Sequence, residues 1–395
     1  MRVLFLTDSL SDLDGVGRYA VRLISALEKA RPGLEVRILL ARKHRPTSAD
    51  VPARWRISVG LPPDYFFHMS PPRFWTSLGA ASLRVASAAA GADLVHAIKD
   101  YPHNLAGLLG ARLRGIPCVA TAHGTYSVQP LLAPRHARLS RWTYARLAGL
   151  IAVSRFTRDR LVEIAGEAGF SRLRVVQNAV SAEHYAAPSG VGPRAWHAHP
   201  FTLSIGEIKE RKGHHLALAA FARVAAAHPD VHHYVVGRAG GDGYDAELRE
   251  TARAAGLADR VHFLGNVDES EKIDLLQRAR VFLLTPVQAG DGGFEGFGIV
   301  YLEAAACARP AIGTLGCGAE DAIVDGETGL LVEPRVEAVA SALERLLSDA
   351  RLAQSLGEAA RRRARTSSWD ENARRVLALY DEILASQDAP RDGAA

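Results

Sequence analysis

The sequence predicts an α/β protein of two domains, each built around a parallel sheet with helices on both faces. Short apolar runs alternate with helical patterns along almost the whole chain, as they do in doubly wound sheets. The 395 residues, 48% of them hydrophobic, are enough for two substantial cores. A stretch at 186–200, rich in Ala, Gly, Pro and His, interrupts the alternation. We therefore expect domains over 1–185 and 201–367, joined by this linker.

The first half opens with an apolar strand at 2–7 and a helical pattern that places Val21, Ile24 and Leu27 on one face. Further strands are predicted at 36–40, 93–97, 117–122, 149–153 and 173–177. Ligand sites in parallel sheets lie beyond the carboxyl ends of the strands. The polar residues that follow predicted strands in this half are Asp100, His103, Asn104 and His123.

The segment 61–78 is the most aromatic part of the chain. It places Tyr65, Phe66, Phe67, Phe74 and Trp75 among prolines, which predicts a segment too broken for a long helix. We expect these side chains to pack in the core. The alternative is a lipid interface, where aromatic residues beside basic ones are common.

The second half continues the alternation. Strands are predicted running into Gly206 and at 233–236, 261–264, 281–284 and 311–314, with a helix at 271–279 and a helical stretch at 336–365. A last helix at 368–386 can be capped by Ser368 and has an apolar face formed by Val376, Leu379, Tyr380 and Ile383. The tail at 387–395 is expected to fray.

The loop after the first strand allows two other interpretations. Gly15, Gly17 and Ala20 have the spacing of a dinucleotide-binding fingerprint, but they lie too far after the strand, and Ala41, Arg42 and Lys43 follow the second strand without an acidic residue. The sequence therefore does not favour an NAD-binding oxidoreductase. The run Asp12-Leu13-Asp14 matches a metal-binding pair in form, but a role in the turn is favoured, and no metal site is predicted.

Composition narrows the class of protein. The N-terminal apolar run is too short for a signal peptide or membrane span, so a cytoplasmic protein is expected. Cys118, Cys307 and Cys317 lack disulfide or zinc spacing and are expected to be buried thiols. The net charge of +5 is concentrated in an arginine-rich stretch at 135–174. A solvated face is expected there, with contact to an anionic membrane as the alternative.

The stretch 291–310 holds the chemistry most visible in the sequence. Gly292, Gly293, Gly296 and Gly298 precede a predicted helix, whose first amides would face an anion such as a diphosphate. Glu295 and Glu303 are eight residues apart, which on a helix is about 12 Å along the axis and about 80° around it. Two such carboxylates can accept hydroxyl hydrogen bonds from opposite ends of a nucleotide-sugar. Two solvated glutamates on an amphipathic helix are the alternative.

These residues resemble the signature of glycosyltransferase family 4, whose members are retaining enzymes with the GT-B fold. The likeness rests on Glu295, seven residues, Glu303, with Gly-Phe-Gly between and Glu-Ala-Ala-Ala-Cys-Ala-Arg-Pro following. The resemblance implies two doubly wound domains facing across a cleft, with the last helix packed back on the first domain. It also implies that Glu303 holds the donor's ribose and that Glu295 lies beside the transferred sugar.

The same resemblance implies roles for residues elsewhere. Lys212 matches a lysine that stabilises the leaving diphosphate, whereas Glu207 stands where the family has an arginine, whose role Lys209 or Arg211 would take. Donor contacts are further expected from Gly15, Gly17, His123, Gly237, Arg238, Gly296, Phe297 and Gly298. Acceptor contacts are expected from Arg18 and Tyr126 and, because they follow the predicted strand at 93–97, from Asp100, His103 and Asn104, for which loop capping is an equal alternative.

The resemblance thus implies transfer of a hexose from a nucleoside diphosphate, with retention, without a cofactor or metal. GDP-mannose is the first expectation for the donor and UDP-glucose or a UDP-N-acetylhexosamine the second, with a lipid, glycan or small molecule as acceptor. A phosphorylase or sugar-nucleotide epimerase of the same fold is the enzymatic alternative. A polyanion-binding protein would also explain the pI near 9.2, but no nucleic-acid recognition motif accompanies the basic residues.

Overall fold

The chain folds into two compact units. The computed structural model describes residues 1–12, 14–42, 48, 50–63 and 67–388, with only the backbone of Asp388. One unit comprises residues 1–178 and the C-terminal segment that begins at Trp369, and the other comprises residues 179–368. The predictions made above for Leu13, Lys43, Tyr65, Phe66 and the end of the tail concern residues outside this description.

The first unit is a seven-stranded parallel sheet flanked by helices. Its strands are β1 (Arg2–Thr7), β2 (Glu35–Ala41), β3 (Arg56–Leu61), β4 (Leu94–Ala97), β5 (Cys118–Ala122), β6 (Gly149–Ala152) and β7 (Leu173–Val175). The helices are α1 (Gly15–Ala30), α2 (Pro71–Ala88), α3 (His103–Arg112), α4 (Thr125–Leu132), α5 (Ala137–Tyr144) and α6 (Arg155–Ala165). The strand order β3-β2-β1-β4-β5-β6-β7 reverses between β1 and β4. Loops after these two strands therefore border a crevice suited to ligands.

The second unit repeats this design with six parallel strands. They are β8 (Phe201–Ile205), β9 (His232–Val236), β10 (Val261–Gly265), β11 (Val281–Leu283), β12 (Ala311–Thr314) and β13 (Gly329–Val332), in the order β10-β9-β8-β11-β12-β13. The helices are α7 (Ala182–Ala186), α8 (His214–Val224), α9 (Tyr244–Ala254), α10 (Glu269–Arg278), α11 (Ile299–Ala306), α12 (Ala319–Ala322), α13 (Val336–Ser348) and α14 (Ala350–Thr366). The order reverses between β8 and β11, so the loops at 206–213 and 284–298 meet there.

The last helix, α15 (Trp369–Asp388), belongs to the first unit, where it packs against α1. Its buried Tyr380 lies with the hydroxyl 2.5 Å from Nδ1 of His96 on β4. Asp381 accepts two hydrogen bonds of 2.6 Å from the guanidinium of Arg31 at the end of α1. Both apolar packing and ion pairing therefore hold this C-terminal segment on the N-terminal sheet.

The helix α2 corrects the expectation that prolines break the segment 61–78. Pro71 and Pro72 occupy the first two positions of an 18-residue helix. A proline is tolerated there because the first-turn amides have no partner within the helix. Phe74 is buried as predicted, whereas Trp75 is 57% exposed.

The boundary between the two units also lies elsewhere than the sequence indicated. The division falls after Asn178, so residues 179–200 form part of the second unit. Tyr185 and Trp196 are both buried there, and Trp196 donates a 2.7 Å hydrogen bond from Nε1 to Asp274 on α10. The stretch at 186–200 therefore packs onto α10, which its composition did not suggest.

Arginines of the stretch at 135–174 contact other residues of the first unit. Arg146 places its guanidinium over the ring of Trp142, 4.8 Å from the centroid, and Arg172 pairs with Glu382 of α15 at 3.0 Å. The contact with an anionic membrane stays a prediction. All three cysteines are buried and free, as expected, and burial raises the pKa of the Cys307 and Cys317 thiols to about 12.

Candidate functional site

The loop after β8 brings two cations to the first signature glutamate. Lys212 donates a short hydrogen bond from Nζ to Oε2 of Glu295, and a guanidinium nitrogen of Arg211 lies 3.7 Å from the same oxygen. Burial would raise the pKa of Glu295, but the charges of Lys212 and Arg211 outweigh it and the pKa is lowered. The structure therefore brings three predicted catalytic residues together, with the carboxyl held ionised.

Gly298 sets the start of the helix that carries the second glutamate. It has a φ of +79°, and a Cβ at this position would lie 2.6 Å from the ring of Tyr301, so other residues would be strained there. Because α11 begins at Ile299, Glu295 lies before the helix. The helical estimate of about 12 Å and about 80° between the glutamates is therefore wrong.

The predicted donor residues Gly296 and Phe297 lie in this turn and are buried. The amide of Gly318 donates a 2.8 Å hydrogen bond to the carbonyl of Glu295. A Cβ on Gly318 would lie 2.2 Å from the carbonyl oxygen of Gly296. The glycine-rich segments at 292–298 and 316–318 thus hold each other by close backbone contact.

Glu303 lies almost completely buried on α11, within a polar cluster that the sequence did not reveal. The hydroxyl of Tyr185 lies 2.7 Å from Oε1 of Glu303, and the ammonium of Lys272 lies 3.3 Å from Oε2. Lys272 also donates a 2.8 Å hydrogen bond to the Tyr185 hydroxyl and pairs with Glu269 at 2.8 Å. The cluster orients the Glu303 carboxylate and balances its charge.

Glu207 occupies the position where the family pattern has an arginine, and it pairs with two cations. Lys209 lies 3.1 Å from one of its carboxylate oxygens, and Arg238 lies 3.0 Å from the other. These charges hold the pKa of Glu207 below its usual value despite the opposing effect of burial. Glu207 therefore brings together Lys209 and Arg238, which are both predicted donor contacts.

Gly237, the last predicted donor residue of this unit, packs close to the same loop. A Cβ there would lie 1.9 Å from the carbonyl oxygen of Gly206. The end of β9 and the end of β8 therefore approach each other so closely that no side chain fits between them.

The predicted donor residues of the first unit lie around the β1–α1 loop. Asp14 caps α1 by accepting a 2.6 Å hydrogen bond from the amide of Gly17, which gives the Asp12–Asp14 run a role at the helix start. A Cβ on Gly17 would lie 2.7 Å from backbone atoms of Ser11, whereas Gly15 is exposed with open space around it. Arg18 donates a short hydrogen bond to the carbonyl of Asp12.

His123 follows β5 and lies partly exposed at the carboxyl edge of the first sheet. Its Nε2 donates a 2.8 Å hydrogen bond to the carbonyl of Ile98, and its ring meets Tyr19 edge-on at 4.8 Å. Burial lowers its pKa, which favours the neutral imidazole. Its contact with a donor sugar stays a prediction.

The four predicted acceptor residues beyond Arg18 differ sharply in exposure. Asp100 is buried and accepts hydrogen bonds from the amide of His123 and the hydroxyl of Ser127. His103 is also buried, with Nε2 2.9 Å from the carbonyl of Pro62, and Asn104 is buried beside it. Tyr126 alone among these four presents a large exposed surface, 48% of its maximum. The acceptor roles of all four stay predictions.

Sequence reasoning missed Tyr185, Lys272 and Glu269. Tyr185 is 118 residues from Glu303, so no local spacing reveals the pair. The one indication in the sequence was the position of Lys272 in the otherwise acidic first turn of α10. Its i,i+3 spacing from Glu269 predicts an ion pair between the two side chains. Within the described ranges, no group of three or more His, Cys, Asp or Glu residues is arranged to hold a metal ion. Nor does any described helix combine the length and apolar content of a membrane span.

Comparisons with known proteins agree with this fold. A family model described as Glycosyltransferase Family 4 matches residues 13–184, and one described as Glycosyl transferases group 1 matches residues 195–363. The crystal structure of HepE from Anabaena in complex with UDP and glucose has a TM-score of 0.75 at 19% identity, covering 97% of this chain and 100% of that one. The fold is therefore that of the GT-B glycosyltransferases, as the sequence predicted.

Curated relatives share more of the sequence. A glycogen synthase from Mycobacterium tuberculosis is 29% identical over 285 residues, which are 70% of this chain and 65% of that protein's length. The GDP-mannose-dependent alpha-(1-6)-phosphatidylinositol monomannoside mannosyltransferase of Mycolicibacterium smegmatis is 29% identical over 273 residues, 66% of this chain and 68% of the relative. With the two family models spanning most of its length, the chain belongs to glycosyltransferase family 4.

Proposed function

We propose that the protein transfers a hexose from a nucleoside diphosphate to an acceptor hydroxyl, with retention at the anomeric carbon and without a catalytic metal. The observation that carries this proposal is the convergence of Lys212 and Arg211 on Glu295, at the glycine-rich turn that leads into α11. Negative charge grows on the diphosphate as its bond to the sugar breaks. Fixed cations and helix amides are suited to stabilise that charge.

The contacts of Lys212 are compatible with this role. An ammonium group has three N–H donors, so Lys212 can keep its hydrogen bond to Glu295 while donating to a phosphate oxygen. Glu295 would then lie beside the transferred sugar. Arg211, Lys209 and Arg238 provide further cations of the same unit, and they are candidates for the role of the arginine that Glu207 replaces.

Glu303 is proposed to hold the donor's ribose. Its carboxylate is fixed by Tyr185 and Lys272 before any ligand arrives, and a fixed acceptor loses little freedom on binding. The acceptor's deprotonation is assigned to a phosphate oxygen of the donor, on the face where the diphosphate leaves. Bond breaking to the diphosphate and bond making to the acceptor oxygen on that face account for retention.

Mannose is the first choice of sugar. The choice of mannose is supported by the signature sequence itself, Glu-Gly-Phe-Gly-Ile-Val-Tyr-Leu-Glu, and by the GDP-mannose-dependent relative. Glucose is the second choice, supported by the glycogen synthase relative. The acceptor is proposed to be a lipid, a glycan or a small molecule, and the same two relatives support the first two of these.

The test is nucleotide release from a panel of GDP- and UDP-sugars, with EDTA and a mixture of acceptors. We expect release from one donor, resistant to EDTA. Glu303→Ala should raise the donor KM about tenfold or more, as expected for a lost charged hydrogen bond. Lys212→Ala should instead lower kcat about a hundredfold or more. Glu327→Ala, at an exposed glutamate of the same unit, is the matched control.

Three results would contradict the proposal. Inhibition by EDTA would show a metal requirement, and turnover that depends on inorganic phosphate would indicate a phosphorylase. Equal effects of Glu303→Ala and Lys212→Ala on both kinetic parameters would overturn the division of roles. Thermal unfolding of each variant shows whether a loss of activity reflects a loss of fold.

A further inference from the structure

A cavity of about 150 Å³ lies within the first unit, outside the residues assigned to the donor. Residues lining it include Phe67, Lys99, Tyr101, Tyr126 and Gln129. Lys99 and Tyr101 follow β4, whereas Tyr126 and Gln129 lie on α4, which follows β5. The cavity therefore lies beyond the carboxyl ends of two neighbouring strands, where parallel sheets bind ligands.

The size of the cavity limits its occupant. A cavity of roughly 150 Å³ holds one six-membered ring, whereas pockets for larger organic ligands start at about 300 Å³. One ring of an acceptor fits within it. A disaccharide or an acyl chain would have to extend outside.

Aromatic rings form the walls. Phe67 and Tyr101 meet edge-on at 5.9 Å, and the Tyr101 hydroxyl lies 2.9 Å from Nδ1 of His136, whose ring is 4.5 Å from that of Phe67. These contacts hold the inner rings in place. Tyr126, by contrast, is about half exposed at the cavity. An accessible ring face of this kind suits the C–H face of a saturated ring.

Lys99 and Gln129 are polar lining residues of the cavity, and Asp8 lies behind Lys99 as its ion-pair partner. The Nζ of Lys99 lies 2.7 Å from Oδ2 of Asp8, with both side chains more than nine-tenths buried, and 5.5 Å from the centroid of the Tyr126 ring. A hydroxyl group both donates and accepts, so the Lys99 ammonium as donor and the Gln129 amide as donor and acceptor suit neighbouring hydroxyls. Lys99 disfavours a cationic ligand, and Asp8 balances the charge that would select an anion.

We propose that this cavity binds one uncharged six-membered polyol ring of the acceptor, stacked on Tyr126 and hydrogen-bonded to Lys99 and Gln129, with Asp8 balancing the charge of Lys99. This assignment rests on the proposed transferase function. A hexopyranoside and a cyclitol share the chemistry described, and the test separates them.

The test measures both binding and transfer. Methyl hexopyranosides and myo-inositol are titrated into the full chain by calorimetry, with cyclohexanemethanol as a ring that lacks the hydroxyl pattern. Their acceptor KM values are then measured with the donor found in the panel. Tyr126→Ala should weaken binding and raise the acceptor KM about three- to tenfold, the range expected for lost stacking. Tyr126→Phe, which keeps the ring, should stay within about twofold of wild type.

Leu132→Ala is the control, since Leu132 is an equally exposed apolar residue at the end of α4 and does not line the cavity. Polyol binding that Tyr126→Ala weakens supports the cavity even where no transfer is detected. In that case the absence of transfer counts against the proposed transferase function and not against the cavity assignment. Polyol binding unchanged in both Tyr126→Ala and Phe67→Ala overturns the assignment even where transfer is robust. A preference for cyclohexanemethanol over the polyols would also overturn the assignment, as would a complete lack of polyol binding.

Discussion

At the scale of single residues, the candidate donor site consists of carboxylates that have cationic partners before any ligand binds. Glu295 has Lys212 and Arg211, Glu207 has Lys209 and Arg238, and Glu303 has Lys272. A carboxylate buried without such a partner would take up a proton or cost several kcal/mol. The cations therefore keep these oxygens available as hydrogen-bond acceptors near neutral pH.

Tyr185 provides the sharpest test of this arrangement around Glu303. Tyr185→Phe removes the hydroxyl between Lys272 and the two carboxylates of Glu269 and Glu303, while the ring keeps its packing. We expect a positioning effect, in which the donor KM rises about three- to tenfold and kcat changes little. The expected loss in free energy of unfolding is about 1 kcal/mol, a typical net value for one hydrogen bond.

The readout that separates positioning from general destabilisation is ribose selectivity. If Glu303 binds the ribose, wild type should prefer the nucleoside diphosphate to its 2′,3′-dideoxy analogue, and Tyr185→Phe should reduce that preference. Tyr244→Phe, which removes a hydroxyl that contacts His215 elsewhere in the same unit, is the matched control. Unchanged selectivity in Tyr185→Phe would show that Tyr185 serves stability alone.

At the scale of elements, α15 is the part of the first unit that comes from the far end of the chain. Tyr380→Phe should lower the free energy of unfolding by about 1–3 kcal/mol, because it leaves the buried Nδ1 of His96 without its 2.5 Å partner. Glu382→Gln on the exposed side of the same helix should cost less than about 0.5 kcal/mol, as exposed ion pairs do. Urea unfolding measures both, and equal losses would contradict a specific role for the Tyr380–His96 contact.

Elements were predictable from the sequence where local pattern decides them. The apolar strands at 2–7 and 311–314 fall where the structure has β1 and β12, because a central strand of a parallel sheet is buried on both faces and reads as an apolar run. The edge strand β3 was not predicted. Its residues alternate Arg56, Ile57, Ser58 and Val59, and most of them are at least partly exposed, so the apolar signal is weak.

The site was predictable as a set of residues and not as a set of contacts. Glu295, Glu303 and Lys212 were identified by their signature, but Lys212 and Glu295 are 83 residues apart and Tyr185 and Lys272 are 87 apart. Such pairs depend on which strands are neighbours in the sheet. Lys212 follows β8 and Glu295 follows β11, and only the strand order of the folded sheet shows that these two strands are adjacent. The start of α11 at Ile299 was indicated by the glycines that precede it, but the backbone path of the turn, and with it the separation of Glu295 and Glu303, was not.

At the scale of the whole molecule, buried histidines couple stability to pH. Burial lowers the pKa of His96 and of His233 to about 3 and that of His214 to about 4. In the unfolded chain these groups bind protons below about pH 6.5. The unfolded state therefore binds more protons than the folded state between about pH 6.5 and the folded pKa values, so folding stability is complete above this window and is lost as the pH falls through it.

The expected loss approaches about 1.4 kcal/mol per histidine for each pH unit below about 6.5. Urea unfolding at several pH values between about 8 and 5 measures it. In His233→Gln, the free energy of unfolding at pH 8 should fall, because the 2.8 Å contact of Nδ1 with the Thr202 hydroxyl is altered. Its decline as the pH falls should be shallower than in wild type by the contribution of one histidine. A decline as steep in His233→Gln as in wild type would mean that the histidine titrates alike in the folded and unfolded states. The acid sensitivity in this range would then belong to other buried histidines such as His96 and His214, because a carboxylate whose pKa is lowered on folding, such as Glu295, loses its stabilisation only below its unfolded pKa of about 4.3.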